Sequence, residues 1–509
     1  MLALLQFDAT NRPLVERMLA EGRMPALAEL RRRGTWHALG RSTPLFVEAG
    51  SYVTLYSGTE VGDHGIYSAF LWSAPEQRVR FMDAFPAPTA VWDRLARAGG
   101  RSLAIDPYES WAASETEGVR LLNGWQYKHK FLLRISQPRG AQAALSLRLG
   151  RPRAVEGVYG RQSIANLRAL RPRLLAAPGR AAEAVAHLLA REELDLVWVT
   201  FSAAHYAGHY YWDLARTTDD GLNAQARHDL ERTMTDAYVA TDAAIGRILE
   251  ALPPGADVIV FSPIGMAPDA SRSDLLPDML RAVLDGGASR RREDGASNPG
   301  GGNAIWRLRA RVPGNLRQSL ARPVPGTVVR ELTARLQLRG TDWGRTRAFA
   351  LPGDHAGYIR FNLRGREAEG IVDPSEAGAL ADEIAAGLET FREPDGAPAL
   401  EAIHHVAREV GGERAEQLPD MVVRWRSEPA AGLSGVSSAA FGDVPRRGVG
   451  SGRSGNHDTD AWAMIVPGAS RLEDRGRDPR IADIAATACA AAGAEAAGIA
   501  GESLLAPSQ

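Results

Sequence analysis

Two histidines four residues apart are the residues in this sequence whose spacing most directly suggests chemistry. His205 and His209 lie in the stretch Thr200 to Trp212, directly after an apolar run that predicts a buried parallel strand over 194–200. If the chain turns helical after this strand, both imidazole rings leave the same helix face one turn apart. Rings placed in this way can share one metal ion, although the same histidines could also pack among the neighbouring tyrosines.

The composition narrows the classes of protein to which the chain can belong. Its 509 residues carry 60 Lys+Arg against 61 Asp+Glu, so no overall field favours nucleic acid or an anionic membrane. A single cysteine, Cys489, excludes an internal disulfide framework and a cysteine-rich zinc site. The N-terminus lacks the basic region of an export signal, and no apolar stretch approaches about 20 residues. We expect a cytoplasmic protein without nucleic-acid or membrane partners, and the many Arg and Ala residues are typical of a GC-rich bacterial genome.

Apolar runs and amphipathic segments alternate along the first 110 residues and return after residue 190. The elements predicted in the first part are strands over 2–7 and 101–105 and helices over 13–20, 25–33, 49–56 and 90–98. Later in the chain, a long helix over 222–252 precedes a strand over 257–261, and a strand over 461–466 precedes a closing Ala-rich helix. This alternation predicts an α/β fold with a doubly wound, mostly parallel sheet flanked by helices.

Residues 111–185 interrupt this alternation and are rich in arginine and aromatic side chains. We interpret them as an inserted cap over the sheet edge, which leaves 1–110 and 186–509 as the catalytic domain. The cap could hold an anionic substrate, with His129 reaching towards it, or it could simply present a solvated basic face. Residues 286–303 have the composition of a flexible loop.

Several separated motifs occur in the order found in one known superfamily. They are Asp8 after the first strand, the stretch from Tyr56 to Ile66, the paired histidines, the stretch from Phe261 to Met266, and Gly455-Asn-His457. In this order the chain resembles the alkaline phosphatase superfamily, most closely its type I phosphodiesterase/nucleotide pyrophosphatase branch, over nearly its whole length. The resemblance implies an alkaline-phosphatase-like fold and cleavage of phosphate esters by two metal ions, usually zinc, with a Thr or Ser nucleophile.

The resemblance also implies where the first metal ion binds. The family holds this ion with Asp, His and His, and the corresponding positions here are His205, His209 and His457. A three-histidine set is typical of mononuclear zinc sites that activate water, so we expect one divalent ion, with zinc first and iron or manganese as alternatives. Asp8 and Glu48 are expected beside it as further ligands, electrostatic partners or acid/base groups.

The resemblance implies that the second metal ion has lost two of its ligands in this sequence and would keep only Asp8 and possibly Glu48. The family's Ser-Asp-His-Gly-Met motif reads Ser-Pro-Ile-Gly-Met here, so that Pro263 and Ile264 offer no side-chain ligand. The position of the nucleophile falls on Glu48, which cannot repeat the Thr or Ser step in its usual form. Thr43 or Ser51 could substitute only if the loop register shifts.

Three hypotheses about function follow from these residues. The first is a metal-dependent hydrolase that uses metal-activated water on a phosphoester or another small anionic substrate, without a covalent Thr-phosphate. The second is a catalytically silent relative that binds a ligand or a protein. The third is iron-dependent oxidative or lyase chemistry at the three-histidine site. Asp354 and His355, just before a predicted strand, are candidate substrate contacts, whereas His64 is expected to hold its own turn. The sequence leaves the oligomeric state open.

Overall fold

The fold is known from a computed structural model, which describes most of the chain. The residues outside its description are 42, 109, 111–115, 129–134, 151–154, 157–159, 218–223, 287–325, 449, 469–471, 473–476 and 506–509. The predicted flexible loop over 286–303, apart from Gly286, and the predicted cap residue His129 therefore lie outside the described residues.

Strands and helices alternate through the first half of the chain, and strands dominate much of the second half. The strands are β1 (Leu2–Phe7), β2 (Thr35–Ala38), β3 (Phe70–Ser73), β4 (Arg78–Phe81), β5 (Ser102–Ile105), β6 (Val119–Asn123), β7 (Tyr127–Lys128), β8 (Ile135–Gln137), β9 (Val155–Glu156), β10 (Leu196–Phe201), β11 (Asp257–Ser262), β12 (Gly265–Pro268), β13 (Ala348–Leu351), β14 (Gly357–Phe361), β15 (Leu400–His405), β16 (Met421–Trp425), β17 (Gly435–Ser438), β18 (Gly442–Pro445), β19 (Gly455–Asp458) and β20 (Trp462–Val466). The helices are α1 (Arg12–Ala20), α2 (Pro25–Arg33), α3 (Ala49–Ser57), α4 (Val61–His64), α5 (Val91–Arg97), α6 (Ala141–Leu149), α7 (Ile164–Leu189), α8 (Ala203–Tyr211), α9 (Ala224–Glu231), α10 (Thr233–Ala251), α11 (Leu276–Leu284), α12 (Gly326–Leu336), α13 (Ala377–Leu388), α14 (Val406–Glu409) and α15 (Ile481–Ala491).

An eight-stranded sheet forms the centre of the fold, in the order β2-β20-β11-β1-β10-β5-β6-β8. The five strands from β11 to β6 run parallel, whereas β2, β20 and β8 pair antiparallel at the two sides. Every residue of β1, β10 and β11 is buried, as expected for strands with helices on both faces. The predicted doubly wound, mostly parallel α/β fold is confirmed.

Helices cover both faces of this sheet and divide the core into two layers. Along β1, Leu2 and Leu4 point into the layer that contains residues of α3, α5 and α15. The alternate residues Ala3, Leu5 and Phe7 point into the layer that contains residues of α2, α7 and α10. The period of two along a strand therefore supplies apolar side chains to both helical layers at once.

The segment 111–185 differs from the predicted cap over the sheet edge. Its strand β6 pairs parallel with β5, and β8 pairs with β6, so that both strands continue the central sheet rather than cover it. The physical reason is that Val119, Leu121 and Leu122 are apolar and are buried on the faces of the sheet, which favours a strand within the sheet. The predicted helix over 222–252 is two helices, α9 and α10, separated at Arg232.

A second, antiparallel sheet has its own core beside the first. Its four strands lie in the order β13-β14-β16-β15, and α11 and α13 pack in the same hydrophobic cluster. Buried ion pairs join its segments, with Arg272 Nε donating to Glu393 at 2.6 Å and Arg360 Nε to Glu367 at 2.8 Å. The sequence predicts strands within 348–363 but not β15 and β16. One residue of β15 is buried, whereas all but one residue of β16 are buried, so neither strand shows a regular alternation.

None of the helices in the described part of the chain is both long enough and apolar enough to span a bilayer.

Candidate metal centre

The carboxyl ends of three adjacent parallel strands create the site. β1 lies between β10 and β11, and all three strands end at the same edge of the sheet. Asp8 directly follows β1, and α8 begins two residues after β10, carrying His205 and His209 on successive turns. The predicted helical turn after the strand is confirmed. Ligands in open α/β sheets bind at this edge because the loops that follow the strands converge there.

His457 arrives from a distant part of the chain on a short antiparallel pair of strands. In β19, His457 lies opposite Met266 of β12, the strand that follows β11. The pair lies so close to α8 that a Cβ atom on Gly455 would stand 2.4 Å from the carbonyl oxygen of Gly208. Glycine at position 455 therefore permits the approach that brings the third histidine to the first two.

The three imidazole rings direct their Nε2 atoms towards one point. Nε2 of His205 lies 3.0 Å from Nε2 of His209 and 3.3 Å from Nε2 of His457. All three histidines are buried, and within the described residues they form a group whose candidate ligand atoms lie within 4.8 Å of one another.

The opposite ring nitrogen of each histidine faces a group that accepts a hydrogen bond. His205 Nδ1 lies 2.6 Å from Asp8 Oδ2, His209 Nδ1 lies 2.8 Å from the Gly455 carbonyl oxygen, and His457 Nδ1 lies 3.0 Å from Glu48 Oε1. A carbonyl oxygen cannot donate and a carboxylate accepts, so we assign a proton to Nδ1 of each ring, which donates it. In the neutral form of such a ring, Nε2 is unprotonated and its lone pair faces the other two rings.

This arrangement fits one divalent metal ion. Three converging lone pairs repel one another unless a cation lies between them, and neutral imidazole nitrogen is a preferred ligand of zinc and of neighbouring metals. Zn–N bonds of about 2.0–2.1 Å in tetrahedral geometry place ligand nitrogens about 3.3–3.4 Å apart, close to the distances found here. Acceptors behind each ring are the usual means of orienting histidine ligands.

Burial favours the neutral, metal-binding form of His205 and His209. Burial lowers the pKa of His205, although the adjacent Asp8 carboxylate opposes this shift. The pKa of His209 lies well below its ordinary value because of burial and the nearby Arg453 charge. Burial would raise the pKa of Glu48, but the hydrogen bond from His457 and the neighbouring positive charges lower it to about 2. Glu48 is therefore ionised at neutral pH.

Asp8 is fully buried, and hydrogen bonds occupy both of its oxygens. Oδ1 accepts from Gln6 Nε2 at 2.8 Å and from the Tyr52 hydroxyl at 3.0 Å, while Oδ2 faces His205. Glu48 lies at the start of α3, and 33% of its side chain is exposed. The two predicted carboxylates thus lie behind different histidines, one enclosed and the other open to solvent.

Apolar side chains occupy positions 263 and 264, where the family resemblance predicts ligands of a second metal ion. Pro263 is buried, and Ile264 is fully enclosed in a cluster with Ala9, Val47, Tyr52 and Met266. The backbone there is also engaged, because Arg41 Nη2 donates to the Pro263 carbonyl at 3.0 Å and the Ser262 hydroxyl donates to the Ile264 carbonyl at 2.8 Å. These residues do not fit a second ion.

The alternative hydroxyl groups are engaged within their own loop. Ser51 Oγ donates to the Phe46 carbonyl at 3.3 Å, and Thr43 Oγ1 accepts from the Leu45 amide at 3.2 Å. His64 is buried in its turn, with Nδ1 accepting from the Ile66 amide at 3.0 Å.

The predicted substrate contacts lie beside the site together with an arginine that the sequence analysis missed. Asp354 Oδ2 accepts from Arg453 Nη1 at 2.6 Å, and the charge of Glu48 acts on His355. Burial raises the pKa of Asp354 to about 6 and lowers that of His355 to about 4. Arg453 precedes His457 by four residues in a Gly- and Ser-rich loop, and no local pattern marks it.

The sequence profile of the type I phosphodiesterase/nucleotide pyrophosphatase family matches residues 2–404. The chain belongs to this family. The match includes Asp8, Glu48 and the paired histidines, whereas His457 lies beyond it. A comparison with curated proteins finds no match.

Solved structures of the alkaline phosphatase superfamily share the fold at low sequence identity. A phosphonoacetate hydrolase from Sinorhizobium meliloti 1021, in complex with phosphonoacetate, is 13% identical, with a TM-score of 0.51 over 96% of this chain and 95% of that one. A mutant of the alkaline phosphatase PafA is 10% identical, with a TM-score of 0.52 over 99% of this chain and 97% of that one. The alkaline-phosphatase-like fold of this family member therefore extends over nearly its whole length.

Proposed function

We propose that this family member is a hydrolase with one divalent metal ion, held by His205, His209 and His457. The ion supplies Lewis-acid activation of a water molecule, and zinc is the first choice because of the neutral nitrogen ligands. The substrate is a phosphoester or another small anion, as the family membership suggests. The single observation that carries the proposal is the convergence of the three Nε2 atoms on one point.

The two carboxylates have different roles in this proposal. Asp8 accepts the Nδ1 proton of His205 within a closed set of hydrogen bonds, which makes it a positioning residue rather than a ligand. Glu48 does the same for His457 but also reaches solvent. Because Glu48 is ionised at neutral pH, it can accept a proton from water or orient it, but it cannot act as an acid.

Glu48 also bears on whether the mechanism includes a covalent step on the protein. It occupies the nucleophile position, and the hydroxyls of Thr43 and Ser51 are engaged in backbone hydrogen bonds. We therefore propose direct attack by water on the substrate, without a covalent intermediate on the protein.

The test is the metal content of the purified chain after incubation with zinc, ferrous iron or manganese in separate samples. One equivalent of metal is expected in wild type. His209→Ala should lose more than about 100-fold in metal affinity, because removing a direct ligand lowers the affinity more than removing a residue that only orients a ligand. His64→Ala is the matched control, since His64 is also buried but lies outside the site.

Hydrolysis of a phosphate ester should depend on the same metal. Far less than one equivalent of every metal in wild type would contradict the proposal and favour a silent, ligand-binding relative. An oxygen-consuming reaction with ferrous iron under air, without hydrolysis in the presence of any of the three metals, would instead favour oxidative chemistry.

A further inference from the structure

We propose that Arg453 binds an oxyanion of the phosphate or phosphonate class beside the three-histidine site and so selects anionic substrates. This inference rests on the proposed function, because the oxyanion would lie between the arginine and the metal ion. Arginine suits this purpose, since its planar guanidinium group can donate two parallel hydrogen bonds to one oxyanion.

The backbone fixes Arg453 next to the metal-binding helix. The following residue, Ser454, donates its amide to the His209 carbonyl at 2.8 Å, and its hydroxyl lies 3.1 Å from the same oxygen. Gly455, one residue further, accepts from the His209 ring. Arg453 is therefore joined to the segment that holds the third histidine and orients the second.

The guanidinium group is held in place from the other side. Nη1 donates to Asp354 Oδ2 at 2.6 Å, and Asn456 Nδ2 donates to the Asp354 carbonyl at 3.2 Å. Arg216 donates to the carbonyl oxygen of Arg453 itself. Only 9% of Arg453 is exposed, so that the protein has removed this cation from bulk water and oriented it.

Three carboxylates face the positive charges of the site, with Asp8 behind His205, Glu48 behind His457 and Asp354 on Arg453. The three histidines themselves do not compensate the charge of a divalent ion, and Arg453 lies on the segment that carries the third of them. Glu48, the open carboxylate, is already engaged with His457. Two neighbouring cations repel one another unless an anion lies between them, which an oxyanion substrate would provide.

The experiment uses the cobalt-substituted full-length protein, because cobalt reports its coordination through its visible spectrum. Inorganic phosphate and azide are titrated separately by calorimetry and by the cobalt spectrum. Azide is a small anion that can bind the metal without two oxygens for the guanidinium group. In Arg453→Gln, phosphate affinity should fall about 10- to 100-fold, whereas azide affinity and cobalt stoichiometry should stay within about twofold of wild type. The introduced amide can still donate to Asp354.

Arg446→Gln is the matched control. The Arg446 side chain is only 5% exposed and also pairs with an aspartate, Asp274, at 2.7 Å, but its contacts lie in other loops. This variant should lose stability without losing phosphate affinity. Arg453→Lys, which keeps the charge but not the planar fork, should give an intermediate phosphate affinity.

The outcomes separate this inference from the proposed function. No cobalt uptake by wild type would contradict the proposed function, and the inference with it. Normal cobalt and azide binding, with equal phosphate affinity in wild type and Arg453→Gln, would overturn the inference alone. If Arg453→Gln does not fold, a crystal structure of the wild-type cobalt protein with phosphate decides: phosphate bonded to the guanidinium group supports the inference, and phosphate bound elsewhere overturns it.

Discussion

The ends of β10 and β11 lie on either side of β1 at the same sheet edge, yet the family resemblance predicts opposite changes at the two ends. After β10, His205 stands where the resemblance predicts an aspartate, so that one possible metal ligand replaces another. After β11, Pro263 and Ile264 stand where the resemblance predicts two ligands, and an apolar cluster encloses Ile264. The first region is built from oriented hydrogen bonds and the second from close packing.

The comparison shows what each region requires in order to be stable. A buried group of three histidines needs an acceptor behind every ring, and Asp8, Gly455 and Glu48 supply one each. A buried position that binds no ion is best filled by apolar side chains, because a buried polar group without a partner is costly. Four predictions test whether this division is real, in order of decreasing effect.

Restoring the family residues after β11 should have the largest effect. In Pro263→Asp/Ile264→His, two polar groups enter the apolar cluster, so the metal-free protein should lose about 3–5 kcal/mol of unfolding free energy. Excess zinc should recover part of this loss and raise the stoichiometry towards two. Urea unfolding with and without zinc, together with metal analysis, measures both effects. Unchanged stability without zinc would show that the cluster does not depend on apolar residues.

Changing the enclosed carboxylate should weaken the three-histidine site without removing it. Asp8→Asn turns one acceptor into a donor that faces Gln6, Tyr52 or His205, so zinc affinity should fall about 10- to 100-fold. Glu48→Gln is the comparison, and its loss should be smaller because Glu48 is partly solvated. Competition with a chromophoric chelator gives both affinities. A larger loss for Glu48→Gln would mean that Glu48, not Asp8, supports the ion.

His64 isolates the effect of burial on a histidine that binds no metal in our proposal. Burial lowers its pKa to about 3, so below about pH 6.5 the unfolded chain binds a proton that the folded chain does not. Stability should therefore decrease as the pH is lowered through this range. Between pH 7 and pH 5, wild type should lose about 2 kcal/mol more unfolding free energy than His64→Gln. Chemical denaturation at both pH values measures the difference, and equal losses would show that His64 is protonated in the folded protein.

A small truncation in the apolar region should affect stability alone. Ile264→Val removes one methylene from a fully buried side chain and should cost about 0.5–1.5 kcal/mol of unfolding free energy. Zinc affinity and stoichiometry should match wild type. A change in zinc affinity would show that the two regions are coupled rather than independent.

Local sequence patterns determined much of the fold and half of the site. The largely apolar runs over 2–7 and 257–261 correctly predict central parallel strands, because a strand buried on both faces favours apolar residues at most positions. The spacing of His205 and His209 correctly predicts one helix face, since four residues complete about one turn. The sequence alone also shows that positions 263 and 264 have no side-chain metal ligand.

Other features depend on contacts between distant residues, which periodicity does not record. The sheet membership of β6 and β8 was decided by their pairing with β5 and with each other. The family order of motifs suggested His457, but only the β12–β19 pairing carries its ring to α8.

The chemical state of the site is likewise a tertiary property. The sequence named His205, His209, Asp8 and Glu48, but it could not assign which nitrogen of each ring holds the proton. That assignment depends on acceptors up to 409 residues away, because Glu48 faces His457 across the fold. The sequence itself provides the side-chain types and their local spacing. The Nε2 atoms of the three histidines point in a common direction only because the packed backbone places each Nδ1 donor opposite its acceptor.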